Sequence, residues 1–581
     1  MYRKQATRLL FLFALHAFPG YGVYTDRRLG LVQKGEPTSL VKQSLLKGVA
    51  ILGIATFITK LLGAVYKIPY QNITGNQGLF VYQQVYPLYS TLLTLATAGV
   101  PIAISKLVSE RLAEGDEYGA QRIFRISSFL LSSSGILFFF LVYFGAPWIA
   151  TWMGSAKLLT LPIQAVSFAL LVVPLMSVIR GFFQGHQNMI PTAVSQVVEQ
   201  AVRVMTILIL SWWLMKTGAG VVWAGTGAVF GAFTGAVAGL IILLFYWRQN
   251  RREWKKHSRI AKTTPSSFLD STRKVIRTLF ILAVPVCLGA LVMPLFSLVD
   301  SFTVTNLLIV AGWKTEAAVD AKGIFDRGQP LIQFASFFAT ALSLSIVPAV
   351  AEARAKGDER GVVERSVLAL RLTLLFGIPA SLGLAVVAGA TNIMLFRDDS
   401  GTSALAILAF TTLFSTLGLT SSGILQGLGQ VGLPARNLLI GVGVKLFLNA
   451  WWVPTMDIDG AAWATVVGYA VASLLNLAAL RGQIGSLFRL RGRGFSILGA
   501  TVLMGLSARV VMGLVSVAVA GSLSLRLGMT LATLSAVLIG AVAYILALFR
   551  FGGLTQVELE RVPKAGPELV RLLKRLRVLP S

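Results

Sequence analysis

The chain has 581 residues, of which 55% are hydrophobic and 13% are charged, and its formal net charge is +28. Soluble domains carry about 25% charged residues, so the composition excludes an ordinary globular protein and predicts an all-α polytopic membrane protein. The single cysteine, Cys287, excludes an intrachain disulfide. The excess of positive charge has two explanations: Lys and Arg accumulate in cytoplasmic loops, and basic groups attract anionic lipids or an anionic substrate.

The first residues precede any predicted membrane span. Three basic residues lead into the short apolar stretch Leu9–Phe18, which is signal-like but short for a span. No convincing small-residue cleavage site follows it. We interpret residues 1–44 as an N-terminal extension or a misassigned start in preference to a targeting peptide.

Apolar windows long enough to cross a bilayer core of about 30 Å recur along the rest of the chain. They predict about fourteen transmembrane helices, at residues 46–66, 80–104, 124–145, 158–181, 191–214, 220–247, 278–302, 328–350, 367–390, 402–425, 435–453, 460–480, 496–520 and 526–549. The loops that follow even-numbered windows are rich in Lys and Arg, and the opposite loops are poor in them. Both termini are therefore predicted to be cytoplasmic.

The windows group into larger units. Residues 45–247 and 278–481 are predicted to form two six-helix lobes, joined by a basic cytoplasmic linker at 248–277. Residues 482–550 hold the last two helices, and 551–581 form a basic cytoplasmic tail. The tail carries leucines on one helical face and basic residues around them, which predicts an amphipathic helix on an anionic membrane surface.

Two polar turns repeat at a fixed distance along the chain. Gly115–Glu117 and Gly357–Glu359 share the motif Gly-Asp-Glu, with an offset of 357 − 115 = 242 residues. Gln184 and Gln426, each followed by glycine, have the same offset. This pattern predicts two lobes repeated in parallel order about an axis along the membrane normal, which is typical of transporters.

Charged residues inside the predicted spans are the first candidates for a functional site, because each costs about 2.5–3.5 kcal/mol at the bilayer centre. Glu199 and Arg203 stand four residues apart on one helix and are expected to pair, either as a structural ion pair or as part of the site. Lys445 lies 242 residues after Arg203 and has no such partner on its own helix. Asp300 could pair with a cation of the first helix or bind a coupling ion.

Four further charges lie at predicted helix ends or along the first helix. Lys60 and Lys67 are seven residues apart on one stripe, and Lys67 could simply extend to the membrane surface. Asp326 could be a helix cap, but Arg327 gains nothing from a helix N-terminus and is therefore interpreted as functional. Together the buried charges predict a net positive cavity between the lobes, suited to an anionic headgroup.

Several phrases of the chain are typical of one family. They include TFITKLLGAVYKIPYQNITGNQG, YSTLLTLATAGVPIAISKLVSE, GIFDRGQPLIQF, ALSLSIVPAVAEA and GILQGLGQ. They resemble the polysaccharide transporter branch of the multidrug/oligosaccharidyl-lipid/polysaccharide exporter superfamily, and within it the MurJ/YtgP-type lipid II flippases and stage V sporulation protein B. The resemblance covers about residues 45–550. It implies two six-helix lobes, two C-terminal helices that line a groove for the lipid tail, and alternating access.

Only some of the essential cations of that family have counterparts in this chain. Lys60 matches an arginine of the family's first-helix phrase, and Lys67 lies beside the second cation of that helix. Asp326 and Arg327 match the family's Asp-Arg pair at the start of the eighth helix. The family's second-helix arginine has no counterpart here, because YQQVYPLYSTLL is uncharged.

The predicted function is a flippase that moves undecaprenyl-pyrophosphate-linked cell-wall precursor from the inner to the outer leaflet of the bacterial plasma membrane. The alternatives are an exporter of another lipid-linked oligosaccharide or a sporulation-specific homologue. A multidrug antiporter, which needs an acidic cavity, fits less well. A membrane glycosyltransferase also fits less well, because it needs a catalytic carboxylate or base on a sizeable loop.

The sequence also gives expectations for cofactors and partners. It contains no metal-ligand spacing and no phosphate-cradling glycine-rich loop. We therefore expect no enzyme activity, no metal and no cofactor, with the membrane potential or an ion gradient as the energy source. The expected partners are an anionic lipid-linked glycan and membrane lipids, without nucleic acid, and the expected state is a monomer.

Overall fold

The computed structural model describes residues 39–97, 99–260, 272–430, 432–485 and 491–553. The predicted signal-like stretch Leu9–Phe18, the middle of the linker and the amphipathic tail lie outside these residues. The described part of the chain is helical almost throughout.

The first lobe is built from eight helices that precede the linker. They are α1 (Ser39–Val65), α2 (Lys67–Thr97), α3 (Val100–Ala113), α4 (Glu117–Trp152), α5 (Ala156–Ser167), α6 (Ala169–Gly185), α7 (Ile190–Lys216) and α8 (Val221–Ile260). α8 runs well into the predicted linker, which is therefore helical at its start.

The second lobe follows the linker, and two further helices follow the second lobe. The lobe contains α9 (Thr272–Val310), α10 (Thr315–Asp326), α11 (Gly328–Ala355), α12 (Glu359–Val386), α13 (Ala388–Phe396), α14 (Thr402–Ala409), α15 (Thr411–Gly427) and α16 (Gly432–Ile484). The last two helices are α17 (Arg491–Ala518) and α18 (Leu525–Arg550).

Each predicted apolar window falls on one helix or on two consecutive helices. By length and composition, ten helical stretches of the described chain are candidates to cross a membrane. Two of them, Ile51–Ala113 and Gly432–Ile484, have 63 and 53 residues. At 1.5 Å per residue both are long enough for more than one crossing. α16 is interrupted at Asp457, where the backbone leaves the helical conformation.

The sequence repeat is also a repeat of local structure. Asp116 and Asp358 are the N-caps of α4 and α12. The carboxylate of each accepts a hydrogen bond from the backbone N–H three residues later, at 2.7 and 2.8 Å. The same turn chemistry therefore ends and restarts a helix at equivalent places in both lobes.

Close helix packing repeats with the same offset. A Cβ atom on Gly185 would lie 3.1 Å from the carbonyl oxygen of Ser105, and one on Gly427 would lie 2.9 Å from that of Val347. Both pairs differ by 242 residues. Glycine lets α6 approach α3, and α15 approach α11, more closely than any residue with a side chain could.

This packing gives a first testable prediction. Gly427→Val should lower the stability of the purified protein by about 1–3 kcal/mol, because the new side chain has to displace backbone and Val350. Gly443→Val is the matched control, since no atom lies within 4 Å of a Cβ atom there. Thermal unfolding in detergent compares the two, and equal midpoints would contradict the close approach of α15 and α11.

The long helix α9 connects the two lobes. Val275 and Leu279 in its first half pack in one cluster with Ile104 of the first lobe. In its second half, Phe296 stacks on Tyr469 of α16, with ring centroids 4.0 Å apart. α9 therefore contributes to both lobes and borders the space between them.

Helices α17 and α18 pack against the second lobe. Arg526 Nε donates a hydrogen bond to the carbonyl oxygen of Met394 at 3.0 Å, and Tyr544 Oη donates to that of Leu375 at 2.7 Å. The described architecture is thus two repeated helical lobes with an added C-terminal helix pair, in agreement with the predicted fold class.

A charged cavity between the lobes

A cavity of about 290 Å³ lies between the two lobes. α2 supplies the first-lobe wall, and α9, α10 and α11 supply most of the second-lobe wall. The lining residues are mainly polar or charged: Lys67, Gln83, Tyr86, Pro87, Ser90, Pro294, Ser297, Asp300, Lys322, Asp326, Gln329, Ile332, Gln333, Ser415 and Tyr469.

A bend in α2 brings two distant parts of that helix together at the cavity. In a straight helix, Lys67 and Tyr86 would be separated by about 28 Å along the axis. Lys67 Nζ instead lies 6.0 Å from the centre of the Tyr86 ring. The bend occurs at Gly75, whose φ of 71° and ψ of −171° suit a residue without a Cβ atom.

Lys67 is a buried cation that has no carboxylate partner among the described residues. Its side chain is 3% exposed and lines the cavity. Among the residues that the structure describes, no carboxylate oxygen lies within 4.0 Å of Lys67 Nζ. Since an isolated ammonium group is costly away from water, this position favours an anion in the cavity.

The other charges of the lining are paired. Lys322 Nζ donates to both oxygens of Asp326, at 2.5 and 2.6 Å, within one turn of α10. Asp300 accepts from Lys445 Nζ at 2.7 Å and from Asn449 Nδ2 at 3.2 Å, both on α16. These partners satisfy the two carboxylates.

These contacts correct several expectations from the sequence. Asp300 pairs with Lys445 of α16 and not with a first-helix cation, so Lys445 does have a partner. Asp326 ends α10 and binds Lys322 instead of capping a helix. The physical reason is that a carboxylate removed from water needs a cation close by, whichever helix provides one.

The charge of the cavity also differs from the expected positive lining. Lys67 and Lys322 balance Asp300 and Asp326, so the lining is formally neutral. With Lys445, which lies behind Asp300, the cluster has three cations and two carboxylates, or 3 − 2 = +1. The single excess charge corresponds to Lys67.

Arg327 lies outside the lining and bridges the lobes. Its side chain is 1% exposed, and Nη1 and Nη2 donate to the two oxygens of Asp398 at 2.7 and 2.9 Å. Nη2 and Nε also donate to Asn76 Oδ1 of the first lobe, at 2.5 and 3.1 Å. Burial alone would raise the pKa of Asp398, but hydrogen bonds from Arg327 and Ser400 lower it, so the ion pair persists at neutral pH.

Further contacts join the lobes at the same end of the bundle. Loop charge predicts this end to be external, and we call it the outer end. Asn72 Nδ2 donates to the carbonyl oxygen of Leu395 at 2.7 Å, and Asn306 Nδ2 donates to that of Trp152 at 2.6 Å. A Cβ atom on Gly323 would lie only 2.2 Å from the first lobe's backbone. The outer end of the cavity is therefore closed.

The remaining predicted site residues lie away from the lining. Glu199 and Arg203 form the expected pair at 2.7 Å, and Glu199 also binds Arg180 of α6 at 2.9 Å. Lys60 is exposed on α1, and within the described ranges no carboxylate oxygen lies within 4.0 Å of it. The roles proposed for Lys60, Arg203 and Lys445 in substrate binding remain predictions.

Sequence reasoning missed four partners that the structure reveals. Lys322 could have been found, because it stands four residues before Asp326 on one helix. Arg180 lies at the very end of a predicted window. Asn76 and Asp398 lie in polar segments, far along the chain from Arg327, and carry no sequence signal.

The pair Asp300–Lys445 gives a second prediction. Asp300→Ala should destabilise the protein by about 3–5 kcal/mol, because it leaves Lys445 buried without a counter-ion. The double variant Asp300→Leu with Lys445→Met should recover most of this loss. Thermal unfolding of the single and double variants measures the coupling. Full recovery of transport together with stability would assign the pair a structural role only, whereas stable but inactive protein would support a role in coupling.

Two repeated lobes around a central charged cavity, closed at one end by polar contacts, are typical of a membrane transporter. The model of the family described as polysaccharide biosynthesis protein matches residues 45–354. The uncharacterized membrane protein YabM of Bacillus subtilis is 37% identical, over 91% of this chain and 96% of its own. Lipid II flippase MurJ of the same organism is 30% identical, over 90% of this chain and 98% of its own.

A solved structure supports the same fold. Lipid II flippase MurJ in an inward closed conformation superimposes with a TM-score of 0.61 at 13% identity, over 86% of this chain and 98% of that one. The chain belongs to the polysaccharide biosynthesis protein family, in the branch that includes the MurJ flippases. The family resemblance, the fold class and the multi-pass membrane character predicted from the sequence are confirmed, and membership of a transporter family agrees with the prediction that the chain is not an enzyme.

Proposed function

We propose that the protein is a flippase for a lipid-linked cell-wall precursor and that its substrate is the undecaprenyl-pyrophosphate-linked glycan lipid II. The observation that carries this proposal is Lys67, a buried cation of the interlobe cavity without a carboxylate partner in the described chain. A pyrophosphate supplies the missing negative charge and accepts charge-assisted hydrogen bonds from an ammonium group. The relative named lipid II flippase MurJ, which is 30% identical to this chain, supports the class of substrate.

The size of the cavity supports a mechanism in which the lobes move. A volume of about 290 Å³ is at the lower limit of ordinary ligand sites, which measure roughly 300–1,000 Å³. It suits a pyrophosphate with an adjoining sugar and is too small for a complete glycan headgroup. The headgroup therefore enters when the lobes separate at the inner end, while the isoprenoid tail stays in the bilayer.

The contacts at the outer end act as a latch in this mechanism. The latch consists of Asn76, Arg327 and Asp398, and it joins the lobes while the cavity is loaded from inside. Release to the outer leaflet requires these contacts to break. The paired charges of the lining, with Lys445 behind Asp300, keep the rest of the site neutral, so that the anion is held mainly by Lys67.

The membrane potential can drive this direction of transport. With the inside negative, each negative charge that moves outward gains about 2.3 kcal/mol per 100 mV. A pyrophosphate-linked headgroup carries negative charge from the inner to the outer side, so the potential favours export. We expect the protein to act in the bacterial plasma membrane with both termini cytoplasmic.

A different lipid-linked oligosaccharide is the second candidate substrate. The family's second-helix arginine is absent here, and the α2 face of the cavity is uncharged at Gln83, Tyr86 and Ser90. This difference favours recognition of a sugar other than that of lipid II, because Lys67 is still present to bind the phosphate.

Complementation tests the proposed function. In cells depleted of their own lipid II flippase, the wild-type protein and Lys67→Arg should restore growth, whereas Lys67→Ala should not. The expected loss of activity is about 10- to 100-fold, because a hydrogen bond to a charged group contributes about 1.5–3 kcal/mol. Lys216→Ala, at an exposed lysine outside the cavity, is the control. Growth restored by Lys67→Ala at equal expression would refute the assignment.

A further inference from the structure

We infer that Gln83 and Tyr86 form a sugar subsite beside Lys67, which binds the first sugar of the glycan next to its phosphate. This inference rests on the proposed function, which assigns the anion to Lys67. The subsite is a stripe on one face of α2, because Gln83, Tyr86 and Ser90 follow the spacing i, i+3 and i+7 and all line the cavity.

Most of the Gln83 side chain is buried, but no described residue is hydrogen-bonded to its amide. It is 6% exposed and lines the cavity, yet within the described residues its amide makes no hydrogen bond. The neighbouring Gln84 uses its amide nitrogen within the protein: Nε2 donates to the carbonyl oxygens of Met153 and Ser301 at 2.9 and 2.7 Å, while its Oε1 is enclosed without a partner among the described residues. The amide oxygen and nitrogen of Gln83 are not among the enclosed, unpartnered atoms of the described structure, so they are open to the cavity and able to bind a ligand there. The amide of Gln83 therefore points to a polar ligand in the cavity.

Two more amides reach the same cavity from the opposite lobe. Gln329 and Gln333 of α11 line it, and in the described structure neither side chain is hydrogen-bonded to another group. An amide offers two donors and an acceptor. Three such groups around one small space match the mixed donors and acceptors of sugar hydroxyl and acetamido groups.

The ring of Tyr86 supplies an apolar wall. It stacks on Tyr82, with ring centroids 5.7 Å apart and an interplanar angle of 18°. Tyr82 is itself hydrogen-bonded to Tyr66 through their hydroxyl groups at 2.5 Å. This stack fixes the orientation of Tyr86, whose electron-rich face can pack against the C–H groups of a sugar ring. Lys67 Nζ, 6.0 Å from the ring centre, would hold the phosphate at one edge of that wall.

The paired charges make the subsite selective for a neutral group. Lys322 and Asp300 are satisfied by Asp326 and Lys445, so they do not compete for the sugar. Among the described lining residues, the groups available to a sugar phosphate include one ammonium, three amides and an aromatic face. This set fits a phosphate joined to a sugar better than it fits a phosphate alone.

Binding to the purified full-length protein in nanodiscs tests the subsite with two probes: undecaprenyl pyrophosphate carrying a disaccharide, and bare undecaprenyl pyrophosphate. Wild type should prefer the disaccharide lipid by about tenfold or more, the effect of one or two hydrogen bonds. Gln83→Ala and Tyr86→Ala should reduce this preference at least about threefold while leaving the affinity for the bare lipid unchanged. Lys67→Ala should weaken binding of both lipids. Tyr143→Ala, at a half-buried tyrosine of α4 outside the cavity, is the control.

Thermal unfolding separates ligand binding from a structural role. Gln83→Ala should keep the wild-type midpoint, because no protein hydrogen bond is lost, whereas Gln84→Ala should lower it. A lowered midpoint for Gln83→Ala, or an unchanged preference in both cavity variants, would overturn the sugar subsite. If wild type bound neither lipid, the proposed function itself would fail. Binding of both lipids with equal affinity by wild type would refute the subsite and leave the phosphate site at Lys67 standing.

Discussion

Arg327→Ala is expected to abolish transport while the protein still inserts into the membrane. Arg327 is fully buried and holds Asp398 in a two-point ion pair while binding Asn76 of the opposite lobe. Because the Asp398 side chain is 42% exposed, we expect the loss of its charge-assisted hydrogen bonds, about 1.5–3 kcal/mol, and not the larger cost of a charge left fully buried. A loss of this size shifts a conformational equilibrium about 10- to 100-fold away from the state with the outer end closed.

The accessibility of a cysteine in the cavity would report this shift. Cys287 is the single cysteine of the chain, so Cys287→Ser with Ser297→Cys places one thiol in the cavity lining. A membrane-impermeant thiol reagent added outside should label this cysteine slowly in an otherwise wild-type protein and rapidly in the presence of Arg327→Ala. Arg397→Ala removes an exposed arginine of the same loop and should leave the labelling slow.

The same experiment distinguishes two roles for Arg327. The family resemblance implies a contact with substrate, whereas the structure places Arg327 in contacts between the lobes. If Arg327→Ala lost substrate binding but left the thiol protected from outside, the latch would be refuted and a role in binding favoured.

Lys60→Ala is expected to be the second change that abolishes function without preventing insertion. Lys60 is exposed on α1, seven residues before Lys67, and therefore about 10 Å nearer the inner end. Without a carboxylate nearby in the described chain, its charge is available to an anionic headgroup on the way to Lys67. Lys60→Arg should retain activity, because it keeps the charge and restores the residue that the family resemblance implies.

Complementation measures the effect of Lys60→Ala on growth. Immunoblots check that each variant reaches the membrane in equal amount. Lys106→Ala is a suitable control, because Lys106 is an exposed lysine that lies 3.9 Å from Glu110. Wild-type growth with Lys60→Ala would show that Lys60 is only a surface cation. Loss of growth with both Lys60→Ala and Lys60→Arg would instead point to a packing role.

The fold could be predicted from the sequence because its signals are local. Apolar windows indicate the membrane spans, and the turns at Asp116 and Asp358 indicate a repeat whose capping hydrogen bonds are present in both lobes of the structure. The ion pair Glu199–Arg203 was predictable for the same reason, since both residues lie on one helical face.

The partners of the site could not be predicted because they depend on how distant helices meet. Asp300 and Lys445 are 145 residues apart, and Arg327 and Asp398 are 71 apart. Gln83 is uncharged, and its helical spacing with Tyr86 and Ser90 does not by itself distinguish it from other uncharged polar residues of the chain. Its importance becomes visible only when its burial and its unused amide are known.

Translocation in liposomes tests the central claim most directly, namely that Lys67 holds the phosphate of a lipid-linked glycan between the lobes. Fluorescent lipid II in the inner leaflet of proteoliposomes should reach the outer leaflet with the wild-type protein. With Lys67→Ala the rate should fall about 10- to 100-fold, and Lys67→Arg should retain most of it. A rate for Lys67→Ala equal to that of wild type, or no translocation of lipid II by the wild-type protein, would contradict the account.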